Sequence, residues 1–298
     1  MINDYTIILC TTVGINLILV QSFNLPFGLG MLFNLAHIAF YAIGAYTTAL
    51  LSTELNMDFM ECAIASMCMG GMLALLVGGI SLRLSSDYFA MGTLAFHSIV
   101  AALLINWKSV TRGVLGIPGI PRPDLCDFNL AICEFDFNPE YRFLMLVLVL
   151  AVVVNAILYL LFKSPYGRAL RAQSENEHAA LSIGIPAVNI RIASLVISAL
   201  GASLAGCLFA HYIRYIDPSS FALSEMIFVL TITVFGRPGS FWGVAGATMF
   251  LTLLPEPLRF IGMPSDILGP MRQLLYALIL FAAVFWNRKI LFPIRRHI

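Results

Sequence analysis

FLMLVLVLAVVVNAILYLLF (143–162), KSPYGRALRAQSENEHAALSIGIPAVNIR (163–191) and IASLVISALGASLAGCLFAHYI (192–213) follow one another without a gap. The outer two contain no Asp, Glu, Lys or Arg. At about 1.5 Å per helical residue, each is long enough to cross a bilayer. The middle stretch is polar, is bracketed by Pro165 and Pro186, and has a charged helical centre. It is too long for a turn and too short for a domain. Kept on one face of a membrane protein, such an element predicts a docking surface for a partner; the alternative is a solvated loop.

The rest of the chain repeats the oily part of that pattern. It is 60 % hydrophobic and 11 % charged over 298 residues, with a mean hydropathy of +0.90. A soluble fold of this length cannot bury so much apolar surface, so the solvent is lipid. Residues 5–53 carry no Asp, Glu, Lys or Arg and suffice for two crossings, with Asn24-Leu25-Pro26 and Gly28/Gly30 marking the break. Further uncharged runs are Cys62–Leu82, Tyr88–Trp107, Met226–Gly236, Pro238–Pro255 and Gln273–Asn287. Together they predict an all-α polytopic membrane protein with about nine transmembrane helices, in a single membrane domain over 1–298. The runs are continuously apolar rather than alternating, which argues against a transmembrane barrel.

Basic residues set the orientation. Arg83, Lys163, Arg168, Arg171, Arg191, Arg237, Arg288, Lys289, Arg295 and Arg296 fall on the richer side, which is assigned to the cytoplasm. The C-terminus is then inside and, with about nine helices, the N-terminus outside. The N-terminus shows no basic n-region, so no removable signal peptide is expected. Loop 108–141 lies outside. Gly113, Gly116, Pro118, Gly119, Pro121 and Pro123 exclude a regular helix from its first half, and its second half is acidic. Cys126 and Cys133 in this loop predict a disulfide in an oxidising exterior, with two free thiols as the alternative. Cys10, Cys62, Cys68 and Cys207 lie in apolar runs and read as small hydrophobic residues.

No GxxxxGK[ST] loop, HExxH, GxSxG or clustered Cys/His site occurs. The chain therefore predicts no catalytic residue, metal or cofactor of its own. His37 and His97 lie within apolar runs; Asp87, His211, Glu225 and Glu256 lie near run ends. A proton-coupled carrier would show a mid-membrane Asp or Glu, and none is evident. Driving energy is expected to enter through segment 164–190. A self-contained carrier or channel, and an intramembrane enzyme, are the competing classes.

Within that segment, Arg168-Ala-Leu-Arg171 and then Glu175, Glu177, Ala179, Ala180 and Gly184 predict two short helices. Ser174 with Glu177 fits a capping box, and Gly184 a helix end. Asn34, His37 and Tyr41 fall near one helix face. A polar stripe there faces a pore or another helix rather than lipid; the alternative is a structural histidine bonded to a neighbouring carbonyl. Asp87 is positioned as N-cap of a helix starting at Tyr88. Gly236-Arg237-Pro238-Gly239-Ser240 reads as a tight turn opening a helix. Gly70, Gly71, Gly78 and Gly79, and Gly201, Ala202, Ala205 and Gly206, predict close helix packing.

Five segments, in order along the chain, carry a resemblance: NLAHIAFYAIGAY (34–46), LRLSSDYFAMGTLAF (82–96), GVLGIPGIP (113–121), the polar segment 163–191, and GRPGSFWGVAGATMFLTLLPEPLR (236–259). Read together they resemble the LivM-type permease subunits of ABC importers for branched-chain amino acids. The resemblance implies an ABC-importer permease bundle in a bacterial inner membrane. It also implies a heteromeric complex with a homologous second permease, two cytoplasmic ABC ATPases that hold ATP and Mg, and an extracytoplasmic solute-binding protein. It implies a pathway or gate at Asn34, His37, Tyr41, Asp87, Tyr88, Phe89 and Thr93, with Asn34, His37 and Tyr41 at an interface between the two permeases. ATPase coupling falls to Arg168, Arg171, Glu175, Glu177 and Gly184. Asn34 and Ala36 stand where the family has Ser and Gly, and His97-Ser98 where it has Gly-Glu. These positions lie where solute is expected to pass, so urea, short-amide and other amino-acid importers stay open as alternatives. Arg237-Pro238 also interrupts the family's glycine-rich turn.

Overall fold

Pro26 has no N–H to donate, and the chain responds to it locally. In the computed structural model, which describes residues 2–81, 86–123, 138–256 and 265–291, α1 (Ile2–Asn24) widens into a π-helical turn (Leu25–Leu29) and stops. The Leu32 N–H reaches back to the Pro26 carbonyl at 3.1 Å. Met31 takes a left-handed φ of 52°, and α2 (His37–Glu54) starts afresh. The break falls where Asn24-Leu25-Pro26 and the following glycines mark it.

In chain order the next elements are α3 (Phe59–Ser81), α4 (Ser86–Asn106), α5 (Lys108–Thr111), a 3-10 turn (Gly113–Leu115) and β1 (Ile117–Pro118). Then come α6 (Pro139–Lys163), α7 (Pro165–Glu175), α8 (Glu177–Ser182), α9 (Ala187–Ile213) and β2 (Tyr215–Ile216). A second 3-10 turn (Pro218–Phe221), α10 (Leu223–Phe235), α11 (Phe241–Leu253) and α12 (Ser265–Leu291) complete the described residues. The protein is an all-α polytopic membrane protein. Among the described residues, six helical segments are long and apolar enough to cross a membrane: Tyr5–Leu29, Phe59–Ile80, Tyr88–Asn106, Pro139–Lys163, Ala187–Ile213 and Pro218–Phe235. α11 and the 269–285 part of α12 are apolar but shorter. α2 spans 18 residues and is more polar. Counting α2, α11 and α12 with the six gives nine bundle helices among the described residues.

α2 tolerates its Thr, Tyr and Ser residues because protein, not lipid, surrounds it. It packs most extensively against α9, and both pack on α3. The apolar stretch of α9 is 67 % buried, against 22 % for α6, so α9 is central and α6 peripheral. The contact depends on absent side chains. A Cβ at Gly206 of α9 would stand 2.1 Å from the Tyr41 carbonyl oxygen, and one at Gly44 of α2 only 2.2 Å from that of Ser203. Ser203 uses the close approach, its hydroxyl donating to the Phe40 carbonyl at 3.1 Å. Elsewhere α1 packs against α6, α9 and α11, and α10 against α12.

Two expectations change here. α4 already includes Ser86 and Asp87, so Asp87 occupies its first turn instead of capping it: the helix starts before Tyr88. The Gly/Pro-rich segment after α4 is not wholly irregular. β1 pairs antiparallel with β2, Ile117 opposite Ile216 and Pro118 opposite Tyr215. No local signal announces a strand whose partner lies beyond four further helices. Cys126 and Cys133 lie outside the described residues. Cys62 and Cys207 are buried free thiols, while Cys10 and Cys68 are exposed on their helices.

Candidate functional site

Segment 164–190 is a built element. Ser164 takes an extended backbone and caps α7, its hydroxyl accepting from the Gly167 N–H at 3.3 Å, with Pro165 pre-set in the first turn. Gly167, Leu170 and Gln173 form the buried stripe of α7. Leu170 packs with Leu25 and Leu29 of the π-helical turn and Leu158 of α6. The Tyr166 hydroxyl donates to the Ile190 carbonyl at 3.0 Å. Burial pushes that phenol up to about 12, against a smaller lowering by Ser194, so it stays a donor. Arg168, Arg171 and Glu175 are exposed on the opposite side. Arg168 donates to the Lys163 carbonyl at 3.0 Å.

The capping box expected from Ser174 and Glu177 is not made. Asn176 is extended (φ −152°, ψ 103°) and caps α8 itself, its side-chain oxygen accepting from the Ala179 N–H at 3.1 Å. The Ser174 hydroxyl stays within α7 and donates to the Arg171 carbonyl at 2.8 Å. Glu177 is drawn to Arg191 of α9 instead, at 2.8 Å, which ties α8 to the bundle. Glu177 thus also braces α8 within this chain. Gly184 does end α8. It has φ +83°, its N–H meets the Leu181 carbonyl at 3.0 Å, and the Ile185 N–H meets that of Ala180 at 3.0 Å. Beside it, Leu181 (49 % exposed), Ile183 (74 %) and Val188 (42 %) project outward. Apolar side chains held outward on a rigid polar element are what a docking contact uses.

The other expected site residues sit deep in the bundle. Asn34, His37, Tyr41, Phe89 and Thr93 are all buried, whereas Tyr88 is 63 % exposed and turned away from them. The His37 Nε2–H donates to the Leu19 carbonyl at 3.0 Å, which leaves Nδ1 to accept from the Ser198 hydroxyl at 3.1 Å. The Tyr41 ring packs on Phe209 and Phe221. The Thr93 hydroxyl accepts from the Leu35 N–H at 3.1 Å, joining α4 to the break before α2. Asn34, His37 and Tyr41 thus lie buried inside this chain's own bundle. α2 is enclosed by α3 and α9, and that enclosure is the reason.

Sequence reading missed the residues that lock the two breaks together. Asn24 accepts from the Gly239 N–H at 3.0 Å, and the Gln21 side chain donates to the Phe241 carbonyl at 2.8 Å. Their polarity within an uncharged run was the available signal. Replacing His37 with Ala removes both of its bonds and opens space in the core, so a loss of about 2–4 kcal/mol is expected. It reads as a lower thermal midpoint of the purified protein. Unchanged melting with lost solute uptake would instead assign His37 to the solute route.

Comparison with known proteins adds independent findings. The sequence pattern of the family described as branched-chain amino acid transport system / permease component matches residues 5–284. The chain is 35 % identical over 275 residues to the high-affinity branched-chain amino acid transport system permease protein LivM of Escherichia coli (strain K12), covering 87 % of this chain and 65 % of that protein. It is 27 % identical over 190 residues to a probable branched-chain amino acid transport permease protein LivM of Methanocaldococcus jannaschii, 61 % of this chain and 52 % of that one. It is 27 % identical over 263 residues to the autoinducer 2 import system permease protein LsrC of Yersinia enterocolitica, 79 % and 69 % of the two chains. The chain thus spans just under two thirds of the high-affinity LivM relative's length, at 65 %. No solved structure matches it significantly.

Proposed function

Because the chain belongs to the family of branched-chain amino acid transport permease components, we propose that it is the transmembrane permease subunit of an ATP-driven importer in a bacterial inner membrane. With a homologous second permease it forms the pathway for amino acids, branched-chain or related small solutes. Two cytoplasmic ABC ATPases bind ATP with Mg and hydrolyse it, and an extracytoplasmic binding protein delivers solute. The α7–α8 element and the C-terminus face the cytoplasm, on the side richer in Lys and Arg.

One observation carries this reading: α7 and α8 are anchored to the bundle by Leu170 and by the Glu177–Arg191 pair while Leu181 and Ile183 stay exposed. A rigid element with an exposed apolar tip can transmit motion from a docked ATPase, because its displacement pulls on α6, the π-helical turn and α9 together. Arg168, Arg171, Glu175 and Gly184 flank that contact. Movement of α7 against the π-helical turn reaches the Asn34–Leu35 break, where the bond to Thr93 serves as a gate joint beside Phe89. The test is reconstitution in liposomes. Leucine uptake is expected only with the partner subunits, binding protein and internal ATP present; urea and short amides are run alongside to set the solute class. Uptake by this chain alone, without ATPases, overturns the reading in favour of a self-contained carrier or channel.

A further inference from the structure

Arg237 stands in the turn between α10 and α11 with φ 65°, a left-handed conformation that glycine adopts freely and an L-residue only at a cost. The backbone there needs no side chain. The Arg237 N–H meets the Val234 carbonyl at 3.3 Å, and its own carbonyl accepts from the Ser240 N–H at 3.0 Å. Glycine would make both bonds equally well. Strain retained at such a position points to a use for the side chain. That side chain is exposed and makes no ion pair or hydrogen bond among the described residues. The turn shares a face of the bundle with α7, since Arg171 Nη2 lies 3.8 Å from where a Gly239 Cβ would stand.

Arg237 also lines an open groove of about 440 Å³. Gly243 and Gly246 of α11 leave part of it without side chains, and a Cβ at Gly246 would have nothing within 4 Å. Phe235, Trp242 and Phe250 stand around them, all exposed. Phe235 and Phe250 stack with centroids 6.1 Å apart. Trp242, 72 % exposed, is backed by Phe241 at 5.5 Å and by Tyr159 of α6 at 5.9 Å. Among the described residues lining the groove, Arg237 alone is charged. Water would solvate the guanidinium and leave three aromatic rings wet; a plain hydrocarbon would cover the rings and leave the charge unanswered. An amphiphile with an anionic head does both. A zwitterionic head would bring an ammonium that no acidic side chain lining the groove receives. An indole at the membrane–water boundary and a basic pocket between helix ends suit an anionic head. We propose that the groove binds an anionic phospholipid, its phosphate on Arg237, its head beside Trp242, and one acyl chain along Gly243 and Gly246 against the Phe235–Phe250 pair. The site is separate from the α8 tip and requires only that the chain lies in a membrane.

The test uses the full chain in phosphatidylcholine vesicles. Trp107→Phe and Trp286→Phe leave Trp242 as the sole tryptophan, and phospholipids brominated on their acyl chains quench its fluorescence. Brominated phosphatidylglycerol is expected to bind about fivefold more tightly than brominated phosphatidylcholine, the effect of one cation on an anionic head. Arg237→Gly should relieve the strain, melt no lower than the parent chain, and erase that preference. Gly246→Phe should fill the groove and reduce quenching by both lipids at unchanged melting. The chain with all its tryptophans gives a second reading in detergent. Added phosphatidylglycerol should raise its thermal midpoint more than phosphatidylcholine does, and Arg237→Gly should lose the difference. Equal quenching by the two lipids, or a preference that survives Arg237→Gly, overturns the site. Loss of the preference to inorganic phosphate, but not to chloride of equal ionic strength, also overturns it and leaves a free-anion site. Trp242 shielded from both lipids once the partner subunits are assembled overturns it as well, and makes the groove a subunit contact.

Discussion

Gly206→Val is expected to abolish the folded protein. A Cβ at Gly206 meets the Tyr41 carbonyl oxygen at 2.1 Å and the Ala45 amide nitrogen at 2.8 Å. Both are backbone atoms of α2, so no rotamer change relieves the clash and α2 and α9 must separate. Ordinary core overpacking costs about 1–3 kcal/mol, and a forced backbone separation exceeds it. With no hydrophobic drive between helices in lipid, lost close packing is not regained by collapse. Gly44→Val, facing Ser203 across the same seam, should behave alike. Gly246→Val is the control, because nothing lies within 4 Å of a Cβ there. Membrane yield and the thermal midpoint in detergent are the readouts. Normal yield and melting for Gly206→Val would show that α2 and α9 do not meet as described.

The second large effect is expected from Leu181→Asp combined with Ile183→Asp. Both side chains are exposed, at 49 % and 74 %, so the isolated subunit should melt like the wild type. Apolar anchors at the centre of a contact contribute about 2 kcal/mol or more each, and a charge placed there adds a desolvation cost. Co-purification of the ATPases and solute-stimulated ATP hydrolysis should both fall by more than about tenfold. Gly184→Val probes the same tip through its backbone. There is open space around the position, but φ +83° is costly for a β-branched residue, so the end of α8 must rearrange. Glu177→Gln acts differently, loosening α8 from Arg191 without touching the tip. Full assembly and full stimulation in the Asp double variant would remove α8 as the coupling contact.

Much of this was legible before any coordinates. The long uncharged runs can be stable only as helices in lipid, because an unpaired backbone group there has no water to turn to. Pro26 stops α1 through its missing donor, and Gly184 ends α8 by its freedom to take positive φ. Such effects act within a few residues and are written locally. The cap of α8 shows where that stops. Ser174 and Asn176 are both competent N-caps two positions apart. In the fold Asn176 takes the extended backbone and caps α8, and its neighbour Glu177 pairs with Arg191 of α9.

The polar stripe on α2 shows the same boundary. Its spacing puts His37 and Tyr41 on one face of α2, whereas Asn34 lies in the break before the helix, which begins only at His37. Whether that face meets a pore, a second subunit or this chain's own helices depends on Leu19, Ser198 and Phe209 standing opposite. Composition and local pattern set the solvent, the helices and their ends, because those respond to neighbours along the chain. Folding in three dimensions selected the facing pairs: Gly206 against Tyr41, Ile117 against Ile216, and Asn24 against Gly239. Each of those pairings joins residues remote in sequence, and no local periodicity records a distance between them.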